Sequence, residues 1–164
     1  MAALATVIMM AAWFPYVTYA VPLTACLAVM VVVIEYNKRS AFLTYLVSVV
    51  PIMIFCEGEA KLLYVCFAGF YPVLKCALEK IPNRFLEYVL KVASFNLAVA
   101  VIYFASTEIF GISYDDLGDF GKLGAGLFLI VANITFLVYD VCVTKMAEYY
   151  IIRFHKVVAK ILKK

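Results

Sequence analysis

Charge is what this chain has least of. Only 15% of its 164 residues are charged, against about 25% in soluble domains. Residues 1–34 carry no charged side chain, and neither do residues 41–56. Apolar residues make up 67%, where soluble domains hold about 45–50%. A water-soluble domain of this length cannot hide so much apolar surface, so lipid has to be the solvent for most of it. Histidine is nearly absent: His155 is the single one. That excludes haem held by axial histidines inside spans. The five cysteines, Cys26, Cys56, Cys66, Cys76 and Cys142, form no Cys-x-x-Cys pair. They read as small apolar packing residues, with no zinc site among them. Gly-x-Ser-x-Gly, His-Glu-x-x-His and a phosphate-binding glycine loop are all missing, so neither an enzyme nor a bound cofactor or metal is expected.

What is present is a series of apolar stretches separated by short polar turns. Tyr36-Asn37-Lys38-Arg39-Ser40 joins the two charge-free runs and reads as the tight basic turn of a membrane hairpin. At about 20 residues per span, six spans use nearly the whole chain and leave minimal loops. The predicted spans are residues 2–16, 20–35, 41–56, 61–80, 87–110 and 122–150. The expected fold is an all-α integral membrane protein, one domain over 1–164, built as a six-helix bundle. A basic helical tail at 149–164 is expected to lie along anionic headgroups. The first span has no basic flank, so the numbered start is expected to fall inside a helix. A cleaved signal ending near Thr18-Tyr19-Ala20 is the weaker reading, because more spans follow.

Lys and Arg are retained on the cytoplasmic side of a bilayer. Of the fourteen in this chain, six spans leave only Lys61 and Lys122 outside. Both termini are therefore expected in the cytoplasm. The outer turns collect Glu57, Glu59, Glu108, Asp115, Asp116 and Asp119, which makes the outer mouth acidic. The three aspartates lack the ligand pattern of a helix–loop–helix calcium site and read as a solvated turn.

Several features inside the spans bear on function. Ala20, Thr24 and Ala28 recur every four residues and offer a small face for close helix approach. Pro51 predicts a kink. Gly69-Phe70-Tyr71-Pro72 predicts a kinked span, or an irregular segment whose freed carbonyl lines a cavity. Asn96, Ala100, Tyr103 and Thr107 share one face of the fifth span, which should turn inward because polar groups are costly in lipid. Gly126, Asn133 and Asp140 share a face of the sixth. Asp140 is either hydrated near the interface or an inward partner of Lys91 or Lys145. Asn96 and Asn133 either satisfy each other or line a pocket.

Six short spans with both ends inside resemble the substrate-binding S component of energy-coupling-factor vitamin transporters. Val21-Pro22-Leu23-Thr24-Ala25, followed by an apolar helix, a tight turn and another apolar helix, is similar to that family's second and third spans. The 61–80 helix with its central glycine resembles the fourth. The likeness is one of layout and covers most of the chain. The family's alanine-x-x-x-alanine docking face on the first helix is matched only by Ala2 and Thr6, with Ala5 nearby. The resemblance implies a vitamin-like solute bound near the outer side, roofed by the first outer loop and lined by the last three helices. It further implies a transmembrane coupling subunit and ATPase subunits as partners, besides membrane lipid. The positions it points to are Tyr16, Tyr19, Glu57, Tyr64, Asn96, Tyr103 and Asn133. The acidic mouth favours a neutral or cationic solute. The expected location is the bacterial cytoplasmic membrane, and no nucleic acid is expected as a partner. The alternative is a small multi-pass scaffold that binds another protein and transports nothing.

Overall fold

The computed structural model describes residues 1–14, 17–56, 58–110 and 121–154, without the side chains of 106–110 and 121–125. Every regular element among the described residues is helical. Helix α1 (Ala2–Met10) ends in a single 3-10 turn, Ala11–Trp13. Helices α2 (Ala20–Glu35) and α3 (Lys38–Phe55) form the hairpin around the basic turn. A broken helix follows, made of α4 (Gly58–Leu63), a π-helical stretch (Tyr64–Ala68) and α5 (Tyr71–Leu78). Two long helices close the chain, α6 (Arg84–Phe110) and α7 (Gly121–Arg153).

Four segments are long and apolar enough to cross a membrane: Lys38–Phe55, Gly58–Leu78, Arg84–Ala105 and Gly126–Arg153. Ala2–Trp13 and Ala20–Glu35 are apolar but shorter. The surface carries large apolar side chains, among them Trp13, Ile54, Phe85, Phe104 and Ile152. This distribution is compatible with a multi-pass membrane protein.

The interior is built around α2, which packs against α1, α3, α5 and α7. The main core joins Met9 and Ala12 to Val21, Ala25 and Val29 of α2, Tyr45 and Ile52 of α3, and Tyr64. The small face that α2 buries is Ala25, Ala28, Val29 and Val32, whereas Ala20 and Thr24 are exposed. Of the three residues in the every-fourth-residue pattern, only Ala28 is buried in a helix contact. Helix α3 stays helical through Pro51. It begins at Lys38, so the basic pair sits in its first turn.

The break in the fourth segment has a readable cause. Pro72 has no N–H to donate, and the helix restarts there with the proline in its first turn. Just before it, the Gly69 N–H reaches back five residues to the Tyr64 carbonyl at 2.8 Å, the register of a π-bulge. That register steps past the Val65 carbonyl, which accepts instead from the Tyr45 hydroxyl at 2.7 Å. A Cβ at position 69 would lie 2.7 Å from Tyr45 Cδ2 and 2.8 Å from Tyr64 Cε1. The glycine lets two tyrosine rings pack against the backbone. Tyr45 occupies the place where a cavity-lining carbonyl was one of the two expectations, so the segment is a packed, kinked helix.

Candidate functional site

Asp140 lies on the inward face of α7 and is 5% exposed; Lys75 of α5 and Lys91 of α6 are 5% and 3% exposed. These three groups meet. Asp140 Oδ1 accepts from the Tyr71 hydroxyl at 2.6 Å and also from Lys75 Nζ. Oδ2 accepts from Lys91 Nζ at 3.2 Å. Lys75 Nζ donates as well to the Asp140 backbone carbonyl at 3.2 Å. Two further carboxylates surround the lysines. Glu79 lies 3.1 Å from Lys75 Nζ and 3.6 Å from Lys91 Nζ, and Glu87 lies 2.7 Å from Lys91 Nζ. Glu79 is the exposed member, with 43% of its side chain accessible.

The local sequence sets up this centre. Tyr71, Lys75 and Glu79 are spaced by four on α5, and Glu87 and Lys91 are spaced by four on α6, so each set shares a face. Asn83 opens α6, its Oδ1 accepting from the Phe85 N–H at 3.1 Å, as an N-cap does. A charge costs about 2.5–3.5 kcal/mol at the centre of a membrane helix on insertion scales. Asp140 offsets part of that cost, and Glu79 and Glu87 supply the countercharge to the two ammonium groups that one carboxylate cannot. Both oxygens of Asp140 are occupied by fixed donors, which makes it an anchor between helices and not a free base. Lys145, one of its two expected partners, is instead exposed and paired with Glu148 at 2.8 Å.

Outward from this centre the contacts continue in antiparallel register. Phe95 of α6 and Phe136 of α7 stack at 4.6 Å with an interplanar angle of 7°. Phe67 meets both edge-on, at 5.3 and 5.7 Å. Next come Asn96 and Asn133, which exchange hydrogen bonds of 2.9 and 3.1 Å. Each amide also donates to the carbonyl four residues back, Val92 and Leu129, at 2.8 Å. Beyond the amides burial thins, Ala98 being the last buried residue of α6 among those described. Among the described residues, none of 99–105 on α6 and none of 126–135 on α7 is buried. Residues 126–131 are exposed without interruption, and six residues cover every face of an α-helix.

The seven positions singled out from the sequence scatter. Asn96 and Asn133 come together. Tyr64 is fully buried against α3, its hydroxyl 2.9 Å from Ser48 Oγ. Tyr103 is 52% exposed towards the C-terminal end of α6, its ring edge-on to Phe104. Tyr19 is exposed beside α4 and donates to Glu59. Tyr16 and Glu57 lie outside the described residues, as do the acidic residues of 111–120, the tail beyond 154 and the side chain of Thr107. Lys75, Tyr71 and Glu79 are what sequence reasoning missed. The available signal was the spacing of four from Tyr71 to Glu79, with apolar residues flanking Lys75 on both sides.

No cluster among the described residues has the His, Cys, Asp and Glu groups to hold a metal ion. All five cysteines are free thiols, with Cys26 and Cys56 buried and Cys142 exposed. A shallow apolar groove of about 390 Å³ lies between Leu4 and Ile8 of α1 and Thr24, Leu27 and Val31 of α2, away from all these polar groups. No protein-family model, no curated protein and no solved structure matches this chain.

Proposed function

We propose that this chain is a six-span membrane protein with both termini in the cytoplasm, and that it serves as the small-solute-binding subunit of an energy-coupling-factor type transporter. The observation that carries this reading is the paired amides of Asn96 and Asn133, which join α6 to α7 beneath stretches of exposed apolar side chains. The two helices are tied together from the Asp140 centre to the Asn96–Asn133 pair, and among the described residues beyond it only Ala98 is buried. A small planar solute with few hydrogen-bonding groups would find apolar walls and one polar floor between these stretches. Tyr103 and Phe104 of α6 and Phe128 of α7 are exposed there. The Asn96 and Asn133 amides form the floor, and each can exchange its partner across the pair for a group of the solute. The acidic residues of the outer turns favour a neutral or cationic solute. A membrane-embedded coupling subunit and ATPase subunits are the partners this reading requires.

Native mass spectrometry of the protein purified in lipid nanodiscs tests the proposal. The wild-type protein is expected to carry one small molecule per chain. Asn96→Ala is expected to abolish its retention and Tyr103→Phe to reduce it, with the folded protein recovered in both cases. A wild-type protein that carries no small molecule, or variants that retain it at the wild-type level, contradicts the solute site and favours the scaffold reading.

A further inference from the structure

Five carboxylates lie in the half of the bundle that carries the α2–α3 turn, the α5–α6 turn and the close of α7: Glu35, Glu79, Glu87, Asp140 and Glu148. Each is engaged inside the protein. Asp140, Glu79 and Glu87 surround the two buried lysines, Lys75 and Lys91. Glu35 accepts from the Tyr150 hydroxyl at 2.9 Å, a bond that also puts the ends of α2 and α7 at one level. Glu148 pairs with Lys145 at 2.8 Å. Residues 155–164, which follow α7 in the chain, add four lysines and no acidic residue. The consequence is sharpest at the α5–α6 turn. Glu79 adjoins Lys80 in the chain and Glu87 lies one helical turn from Arg84, yet both glutamates are drawn to Lys75 and Lys91. Lys80 and Arg84 stand exposed on either side of Pro82-Asn83. The turn itself is held in place: the Ile81 N–H donates to the Leu78 carbonyl at 2.9 Å, and Asn83 caps α6.

We infer that the α5–α6 turn binds an anionic phospholipid, whose phosphate headgroup is held by Lys80 and Arg84 while its acyl chains lie along the first turns of α6. The side chains beside the cations favour a lipid over the acidic surface of a soluble protein. Phe85 and Val89 share one face of α6 and are 78% and 46% exposed. Tyr88, 51% exposed, lies one turn from Arg84, where an aromatic ring suits the headgroup level. A soluble partner that met the two cations would leave this apolar strip uncovered, whereas one phospholipid covers both. Choline and ethanolamine headgroups carry their own cation beside the phosphate, so the excess positive charge of the turn selects a lipid without one. The site is separate from the Asn96–Asn133 pair and serves whichever side of the membrane this end of the bundle faces.

Spin-labelled lipids test the site. The protein is reconstituted in phosphatidylcholine membranes holding a trace of spin-labelled phosphatidylglycerol or spin-labelled phosphatidylcholine. Electron paramagnetic resonance then gives the fraction of label that the protein immobilises. The wild-type protein should hold phosphatidylglycerol at least about threefold more strongly than phosphatidylcholine. Lys80→Gln combined with Arg84→Gln should remove most of that preference, and each single variant about half of it. The single variants keep the test readable if the double variant does not fold. Lys38→Gln combined with Arg39→Gln takes the same charge from the α2–α3 turn and should leave most of the preference in place. A wild-type protein without a preference overturns the inference and leaves the two cations to an acidic protein partner. Equal losses in the two double variants also overturn it, since the lipid is then gathered by the charge of the whole end. No solute enters the measurement, so failure of the proposed solute site leaves its outcome unchanged.

Discussion

Asp140 collects donors from two other helices, and removing its charge isolates the clearest single-residue effect in the structure. Breaking a buried ion pair by removing one partner costs about 3–5 kcal/mol. Asp140→Asn leaves Lys75 and Lys91 facing only Glu79 and Glu87, and Glu79 is largely in water. Thermal unfolding in detergent should show a loss of about 3 kcal/mol for this variant. Lys145→Met, which breaks only an exposed pair, should melt within about 0.5 kcal/mol of wild type. Equal melting of the two would mean that Asp140 is hydrated. Gly69 and Gly126 give a second contrast. Gly69→Ala pushes a methyl group into Tyr45 and Tyr64, and overpacking of this kind costs about 1–3 kcal/mol. Gly126→Ala meets open space and should be neutral or stabilising by up to about 1 kcal/mol.

At the scale of the element, the broken fourth segment is where one helix depends on another. The π-bulge at Tyr64–Ala68 leaves the Val65 carbonyl to Tyr45, a residue of α3. An unsatisfied buried carbonyl costs about 1–3 kcal/mol. Tyr45→Phe should therefore lower the melting temperature in detergent by an amount corresponding to about 1–2 kcal/mol, although it removes a single oxygen. No change would mean that the carbonyl finds another donor. The sequence already marked this segment through Gly69 and Pro72, because proline removes a donor wherever it sits. It did not show which side chain would take the freed acceptor, since Tyr45 lies twenty residues away. The α2–α3 turn carries a different lesson. Lys38 and Arg39 stand in the first turn of α3, where the helix dipole disfavours positive charge. They do nothing for the helix there, which fits a role in fixing orientation.

For the whole molecule, the six apolar helical segments were readable from the charge-free runs and the polar turns between them, because lipid forbids unpaired backbone within a span. Spacing placed Asn96 and Asn133 on inward faces and the two amides do meet, but Ala100 and Tyr103 of the first face are exposed, against the expectation that it turns inward, and so is Gly126 of the second. The ionic centre was only half visible. Charge counting places Lys75 and Lys91 on the inner side but does not tell a loop lysine from a buried one. How deep each lysine sits depends on contacts between helices far apart in the chain, and the carboxylate that draws them in is 65 residues from Lys75. The proposed arrangement puts this centre towards the cytoplasmic side and the unpacked ends of α6 and α7 outside, so orientation is the claim on which the account rests. Single cysteines placed at Lys38, at Asn83 and at Gly118, which lies outside the described residues, test it in a background with the native cysteines replaced. An impermeant thiol reagent applied to intact cells should label the Gly118 position and leave the other two unlabelled until the membrane is opened. Labelling of the Asn83 position from outside in intact cells would contradict the account.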